Sequence, residues 1–130
     1  MISENDKCKS TPEIITMFRP VGPTELELIK NLNWSAFPSR LFDQSIFYPV
    51  FNQEYTEHIA RDWNVKFSGS GFVTKFQIEK SFIEKFEIHK VGSQFHLELW
   101  IPADELDEFN KHIVGKIEVI KEFYQEIEKE

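Results

Sequence analysis

The stretch Gln94-Phe95-His96-Leu97-Glu98-Leu99-Trp100-Ile101-Pro102 alternates between two kinds of residue and decides how the second half of the chain folds. One set of alternate positions is apolar: Phe95, Leu97, Leu99 and Ile101. The other set is Gln94, His96, Glu98 and Trp100. A period of two is typical of a β-strand, so the apolar set predicts a core face. The opposite face carries an imidazole, a carboxylate and an indole within reach of each other, and this predicts the floor of a cleft.

Length and composition predict one soluble domain. The chain has 130 residues, of which 41% are hydrophobic and 15% aromatic, which is enough to build a packed core. We expect a flexible N-terminal segment over 1–13, a single domain over 14–124 and a charged tail over 125–130. The single cysteine, Cys8, cannot form an internal disulfide, and the N-terminus has no apolar signal segment. Both observations favour a cytoplasmic protein.

The charge pattern excludes some classes of partner. The net charge is −7, and the 15 basic residues are scattered among 22 acidic ones. Nonspecific nucleic-acid binding needs clustered Lys and Arg, so neither duplex nucleic acid nor a membrane surface is an expected partner. A few Arg side chains are still sufficient to bind one phosphorylated ligand.

The first half of the chain predicts two strands and two helices. A first strand over 14–19 is expected to stop at Pro20. Thr24 and Glu27 fit a capping box that starts a short helix, with either Leu26 and Ile29 or Leu28 and Leu32 inward. A second strand follows over 45–50. Asn52 then caps a helix over about 53–64, whose inward stripe is Tyr55, Ile59, Ala60 and Trp63.

The second half predicts antiparallel strands. Strands are expected over 72–78, 86–91 and 94–101, with one helical turn over 80–85 and a hairpin turn at Gly92-Ser93. Pro102 opens a short helix with Leu106 and Phe109 inward, which Gly115 ends. The last segment, 116–124, fits a strand but also a helical stripe. The whole pattern predicts an α+β domain of two small, mostly antiparallel sheets packed together, with short flanking helices.

Several side chains are candidates for a functional site. Glu98 could be a catalytic carboxylate with His96 beside it, or the two could be an ordinary pair on a solvated strand face. Arg19 and Arg40 could each clamp a phosphate, or pair with one of the many carboxylates. The aromatic side chains of Tyr48, Tyr55 and Trp100 could stack on a ligand ring. Phe47 and Trp63 could do the same, but they fit core packing better.

Other kinds of chemistry have no support in the sequence. His58, His89 and His112 fall on different elements without metal-ligand spacing, so we expect no metal. The chain has no Gly-rich phosphate loop, no Gly-x-Ser-x-Gly and no Cys-x-x-Cys.

Long stretches of the chain resemble a group of small bacterial proteins that are often given the name ADP-ribosylation family. They are Phe18–Ile29, Ala36–Arg40, Ile46–Val50, Glu54–Tyr55, Ile59–Asn64, His96–Ala103 and Glu108–Gly115. The order of elements is also similar to the ADP-ribosyltransferase fold. In the Arg-Ser-Glu version of that fold, a first-strand Arg holds the NAD phosphates, and a Ser-Thr-Ser motif shapes the pocket. The last Glu of a late Gln-x-Glu or Glu-x-Glu motif orients the nicotinamide ribose.

The resemblance implies a site and a ligand. By position, Arg19 matches the phosphate-binding Arg and Glu98 the catalytic Glu, while His96 fills the first place of the late motif. Ile46-Phe47-Tyr48 stands where the family has Ser-Thr-Ser. The implied function is binding of NAD or a related nucleotide and transfer of ADP-ribose to an acceptor, with Arg40 assisting at the phosphates.

Two other interpretations stay open. The domain could be a non-enzymatic binding module, either an immunity or antitoxin-type protein partner or a degenerate nucleotide-binding domain. Alternatively, Arg19 and Glu98 could be a structural ion pair across the sheet.

Overall fold

A computed structural model describes residues 13–39, 46–90 and 97–125. Its strands are β1 (Ile14–Val21), β2 (Ile46–Phe47), β3 (Ser70–Glu79), β4 (Glu87–Lys90), β5 (Leu97–Pro102) and β6 (Ile113–Tyr124). Its α-helices are α1 (Pro23–Asn31), α2 (Gln53–Ile59), α3 (Val65–Ser68), α4 (Lys80–Ile83) and α5 (Leu106–Lys111). A π-helical turn, Ala60–Asn64, joins α2 to α3, and a 3₁₀ turn, Ala103–Glu105, precedes α5.

The strands form two antiparallel three-stranded sheets, which confirms the predicted α+β class. The first sheet has the order β1-β3-β6 and the second the order β2-β5-β4. Met17 and Phe76 from the first sheet share one core with Phe47, Leu99 and Ile101 from the second. The α2 helix and its π-helical extension pack against the first sheet, where Ala60 joins Phe18 and Val73 in a smaller cluster.

The segment after β2 connects the two sheets. Phe18 on β1 and Val50 exchange two backbone hydrogen bonds of 2.8 and 2.7 Å. Val50 also forms a bridge with Glu98 on β5, and the Leu99 N–H donates to the Pro49 carbonyl at 2.9 Å. The outer edge of β1 therefore lies close to β5, and this places Arg19 near the polar face of β5.

The prediction that β1 stops at Pro20 is wrong, because the strand continues to Val21 and Pro20 pairs with Val73. Along a strand, the N–H and C=O groups of successive residues point alternately to the two sides. Those of Phe18 point toward Val50, away from β3. Pro20 lies two residues after Phe18, so its backbone nitrogen also faces away from β3. Its missing N–H therefore costs the β1–β3 ladder nothing, as is usual for proline on an outer strand.

The predicted capping box is also wrong. Gly22 is the N-cap of α1, no side chain caps it, and Pro23 takes the first helical position. Pro is well suited to that position because its fixed φ matches a helix and its absent N–H would have no partner there. Of the two predicted inward pairs, the structure supports Leu26 and Ile29: Ile29 is fully buried, whereas Leu28 and Leu32 are exposed.

The Asn52 cap is confirmed, because its Oδ1 accepts a 2.9 Å hydrogen bond from the Tyr55 N–H. The predicted inward position of Trp63 is wrong, since this side chain is 59% exposed. The π-helical turn over 60–64 adds a residue to one turn, so the apolar stripe that includes Ala60 does not continue to Trp63. This turn runs very close to β3 at Gly71, where a Cβ would overlap the Ala60 carbonyl oxygen.

Most of the second half folds as predicted, with β3, α4, β4, β5 and α5 in the expected places. Leu106 and Phe109 are buried, as expected of the inward face of α5. The prediction that Gly115 ends a helix is wrong, because β6 begins at Ile113 and includes it. Gly115 has φ +81° opposite an irregularity in the β3–β6 register, a conformation that glycine adopts without strain. The predicted turn at Gly92-Ser93 lies outside the described residues.

Candidate functional site

A cleft of about 380 Å³ opens where β1, β5 and the segment after β2 meet. Its lining is Arg19, Pro20, Tyr48, Val50, Ile59, Glu98 and Trp100. Four of these are predicted site residues: Arg19, Tyr48, Glu98 and Trp100. The two other predicted site residues, Arg40 and His96, lie outside the described residues. The cleft volume is at the lower end of the range for small-molecule sites.

The carboxylate of Glu98 is held at both oxygens by neutral donors. The Tyr55 hydroxyl donates to Oε2 at 3.0 Å, and the Trp100 indole N–H donates to Oε1 at 3.2 Å. None of the ion pairs found within 13–39, 46–90 and 97–125 includes Glu98. Two neutral hydrogen bonds fix the orientation of a carboxylate without cancelling its charge, so Glu98 presents an oriented negative charge to the cleft.

Tyr55, which the sequence offered as an aromatic residue that could stack on a ligand ring, acts at the site as a hydrogen-bond donor to Glu98. It is placed at the third position of α2 by the Asn52 cap, which bonds its backbone N–H. Burial, followed by the hydrogen bond to Glu98 and the negative charge of that residue, raises the pKa of Tyr55 to about 12. The phenol therefore stays protonated near neutral pH and remains a donor to the carboxylate.

Arg19 is only 8% exposed and forms a two-point ion pair with Glu25 on α1. Its Nε and Nη2 donate to the two Glu25 oxygens at 2.7 and 2.9 Å, and Nη1 donates to the Tyr48 carbonyl at 3.4 Å. The guanidinium carbon lies 4.6 Å from the centroid of the Phe47 ring. Arg19 is thus paired with Glu25, and the structural ion pair with Glu98 that the sequence left open is not formed.

The aromatic wall of the cleft is held in place from outside. Tyr48 meets Trp100 edge to face, with ring centroids 5.6 Å apart. His89 on β4 stacks on Trp100 at 3.7 Å with an interplanar angle of 15°, and its Nε2 lies 3.0 Å from a Glu87 oxygen. The indole is therefore fixed by a ring on one side and by its N–H bond to Glu98.

Sequence reasoning missed two contributors to the site, Glu25 and His89, and it did not foresee the hydrogen bond from Tyr55 to Glu98. Glu25 follows Arg19 by six residues, yet the turn at Gly22 brings the two side chains together. Tyr55 and Glu98 are separated by 43 positions in the chain. His89 reaches Trp100 because Glu87 pairs with Trp100 in the β4–β5 register. The predicted alternation of 94–101 was the one local signal that pointed toward these contacts.

Comparison of the chain with protein-family models, with curated proteins and with solved structures gave no significant match. Within the described ranges, no group of three or more His, Cys, Asp and Glu side chains could hold a metal ion. In the same ranges, no helix has both the length and the apolar character needed to cross a bilayer.

Proposed function

We propose that the cleft binds NAD or a related nucleotide and that the protein is an ADP-ribosyltransferase-like enzyme acting on an acceptor. One observation carries the proposal: Arg19, Tyr48, Glu98 and Trp100, which come from three separate parts of the chain, line one cleft. Two of these side chains are charged and two are aromatic. That combination suits a ligand with a ring, sugar hydroxyls and phosphates.

Glu98 supplies the charge that the reaction requires. In the proposed reaction, the bond between ribose C1′ and the nicotinamide nitrogen breaks, and its electron pair leaves with nicotinamide. A positive charge then develops at C1′, and an oriented carboxylate close to the ribose stabilises it. A lone pair of the acceptor forms the new bond to C1′, and the acceptor proton passes to solvent. The hydrogen bonds from Tyr55 and Trp100 set the position of that carboxylate before the ligand arrives.

To bind a phosphate, Arg19 has to exchange its ion-pair partner, the Glu25 carboxylate, for the phosphate. A guanidinium binds carboxylate and phosphate with the same two-point geometry, so a diphosphate would take the place of the Glu25 carboxylate. The free protein keeps the buried Arg19 charge compensated by Glu25. The contribution of Arg19 to NAD affinity is therefore reduced by the loss of its ion pair with Glu25, and Glu25→Gln is expected to strengthen NAD binding.

The test combines thermal melting with release of nicotinamide. NAD at 100 times its Kd would stabilise the native protein by about 2.7 kcal/mol, which for this chain length is a Tm rise on the order of 10 °C. We expect this rise for the wild type and for the control Arg61→Ala, whose side chain is exposed and paired with Asp62. We expect no rise for Arg19→Lys, which keeps the charge but loses the planar fork.

The enzymatic part of the proposal is tested separately with Glu98→Gln. This variant should keep its NAD-dependent Tm rise, because the change is nearly isosteric, and should release no nicotinamide. Nicotinamide release at the wild-type rate by Glu98→Gln would refute the role of the carboxylate. An unchanged wild-type Tm at saturating NAD would refute nucleotide binding altogether.

A specific observation supports the non-enzymatic alternative of a protein-binding module. Trp63 and Phe67 are 59% and 66% exposed, and their rings stack on each other with centroids 5.3 Å apart. Trp and Phe are enriched at protein–protein interfaces relative to the rest of a protein surface. If binding a protein partner is the function, Trp63→Ala should abolish co-purification of the partner, and Glu98→Gln should leave it unchanged.

A further inference from the structure

Two charged side chains line the cleft, Arg19 and Glu98, and only Arg19 has a partner of opposite charge among the described residues. Arg19 is the one cation that lines the cleft among the described residues, and it is engaged by both oxygens of Glu25. The other charged lining residue, Glu98, has hydrogen bonds from Tyr55 and Trp100 but no cationic partner among those residues. At the Glu98 end of the cleft, the carboxylate therefore has a fixed orientation, and its negative charge has no counter-ion in the described part of the chain.

Among the described residues, the walls around this carboxylate are mainly apolar and aromatic. Tyr48 is 37% exposed at the cleft, and the indole of Trp100 stands beside the carboxylate it bonds. Val50 and Ile59 add aliphatic surface. Electron-rich rings attract a cation by their quadrupoles, and this attraction strengthens where water is displaced. A small inorganic ion gains little from such walls, whereas an organic cation can use both the carboxylate and the rings.

We infer that the Glu98 end of the cleft is a binding site for a compact organic cation, such as an N-alkyl pyridinium or a quaternary ammonium. Glu98 is the counter-ion, and Tyr48 and Trp100 are the aromatic walls. The His89 ring stacked on Trp100 holds the indole in place, so the site is formed before the ligand arrives. The inference goes beyond nucleotide binding, because it needs neither Arg19 nor a phosphate.

The test compares two ligands that differ by charge. The cation is 1-methylnicotinamide and the neutral reference is nicotinamide, each titrated into the full-length protein by calorimetry at one ionic strength. We expect the wild type to bind the cation at least tenfold more tightly than the neutral ring. This preference should fall to about one in Glu98→Gln and should be kept in the matched control Glu122→Gln. Glu122 also accepts a tyrosine hydroxyl, that of Tyr124, but lies outside the cleft lining.

A second variant keeps the test decisive if Glu98→Gln folds poorly. Tyr48→Leu removes one aromatic wall without touching the carboxylate, and it should reduce the preference for the cation severalfold. Equal binding of the two ligands by the wild type, or an unchanged preference in Tyr48→Leu and Glu98→Gln, would overturn the inference.

The outcome is separable from that of the proposed function. Preference for the cation together with no effect of NAD on the wild-type Tm would support the cation site and refute the nucleotide proposal. An NAD-dependent Tm rise without any preference for the cation would refute the cation site alone.

Discussion

The hydroxyl of Tyr55 is expected to contribute measurably to stability through its bond to Glu98. Tyr55→Phe removes one donor at 3.0 Å from Oε2 and leaves the ring and the Trp100 bond in place. A hydrogen bond to a charged acceptor contributes roughly 1.5–3 kcal/mol when buried. Both side chains are only partly buried, so solvent screening reduces the expected loss to about 1 kcal/mol.

The assay is urea denaturation at neutral pH in a double-mutant cycle with Glu98→Gln. Tyr55→Phe removes the hydroxyl, and Glu98→Gln replaces the charged acceptor by a neutral one, so the cycle measures the part of the coupling that depends on the charge of Glu98. The matched control is Tyr124→Phe, which removes an exposed hydroxyl that donates to Glu122 at 2.8 Å. Since Tyr124 is solvated at the surface, we expect no measurable change in the free energy of unfolding for this variant.

The same contact predicts a pH dependence with a definite sign. The pKa of Tyr55 is raised from 10.0 to about 12 in the folded protein, so the folded state holds this proton more tightly than the unfolded chain. The resulting stabilisation is fully present below pH 10 and is lost as the pH rises through about 12. The difference in unfolding free energy between wild type and Tyr55→Phe should shrink over that interval. A difference that stays constant to pH 12, or zero coupling in the cycle, would refute the reasoning.

Two further predictions concern the packing that supports the site. Phe109→Ala should lower the free energy of unfolding by about 3–5 kcal/mol, because this fully buried ring packs against Phe47 at 5.2 Å between centroids. The control Phe67→Ala, at an exposed ring, should change the free energy of unfolding little. Equal losses in the two variants would contradict the assigned core. Gly71→Ala should cost about 1–3 kcal/mol in urea denaturation, because the new methyl group would overlap the Ala60 carbonyl. A neutral effect would mean that the π-helical turn lies farther from β3.

Local patterns in the sequence were sufficient for much of the fold. The alternation around Leu99 and Ile101 predicted a strand with a buried face, and both side chains are essentially fully buried. The Asn52 cap was also predictable, because a cap depends on a side chain and the backbone three positions later. Elements of this kind follow from interactions between residues that are close in the chain.

Other features depended on neighbours that are distant in the chain. Pro20 stays within β1 because that strand is at the outside of its sheet, and strand order is a property of the whole domain. Trp63 is exposed because a π-helical turn shifts the phase of the helix, which its spacing from Tyr55 does not reveal. In both cases the local pattern predicted the element and where it begins. The structure near its end, at Pro20 and at Trp63, depended on the tertiary context.

The sequence by itself determined the α+β class, the strand that carries Glu98 and Trp100, and the alternation that puts these two side chains on one face. Only the tertiary structure decided which side chains the charged residues of the site, Arg19 and Glu98, interact with. Arg19 binds Glu25 because a turn folds α1 back on β1, and Tyr55 reaches Glu98 across 43 positions because Val50 joins the two sheets. The physical reason is that strand periodicity is a local property of the backbone, whereas the pairing of charges and donors depends on which elements the shared core brings together.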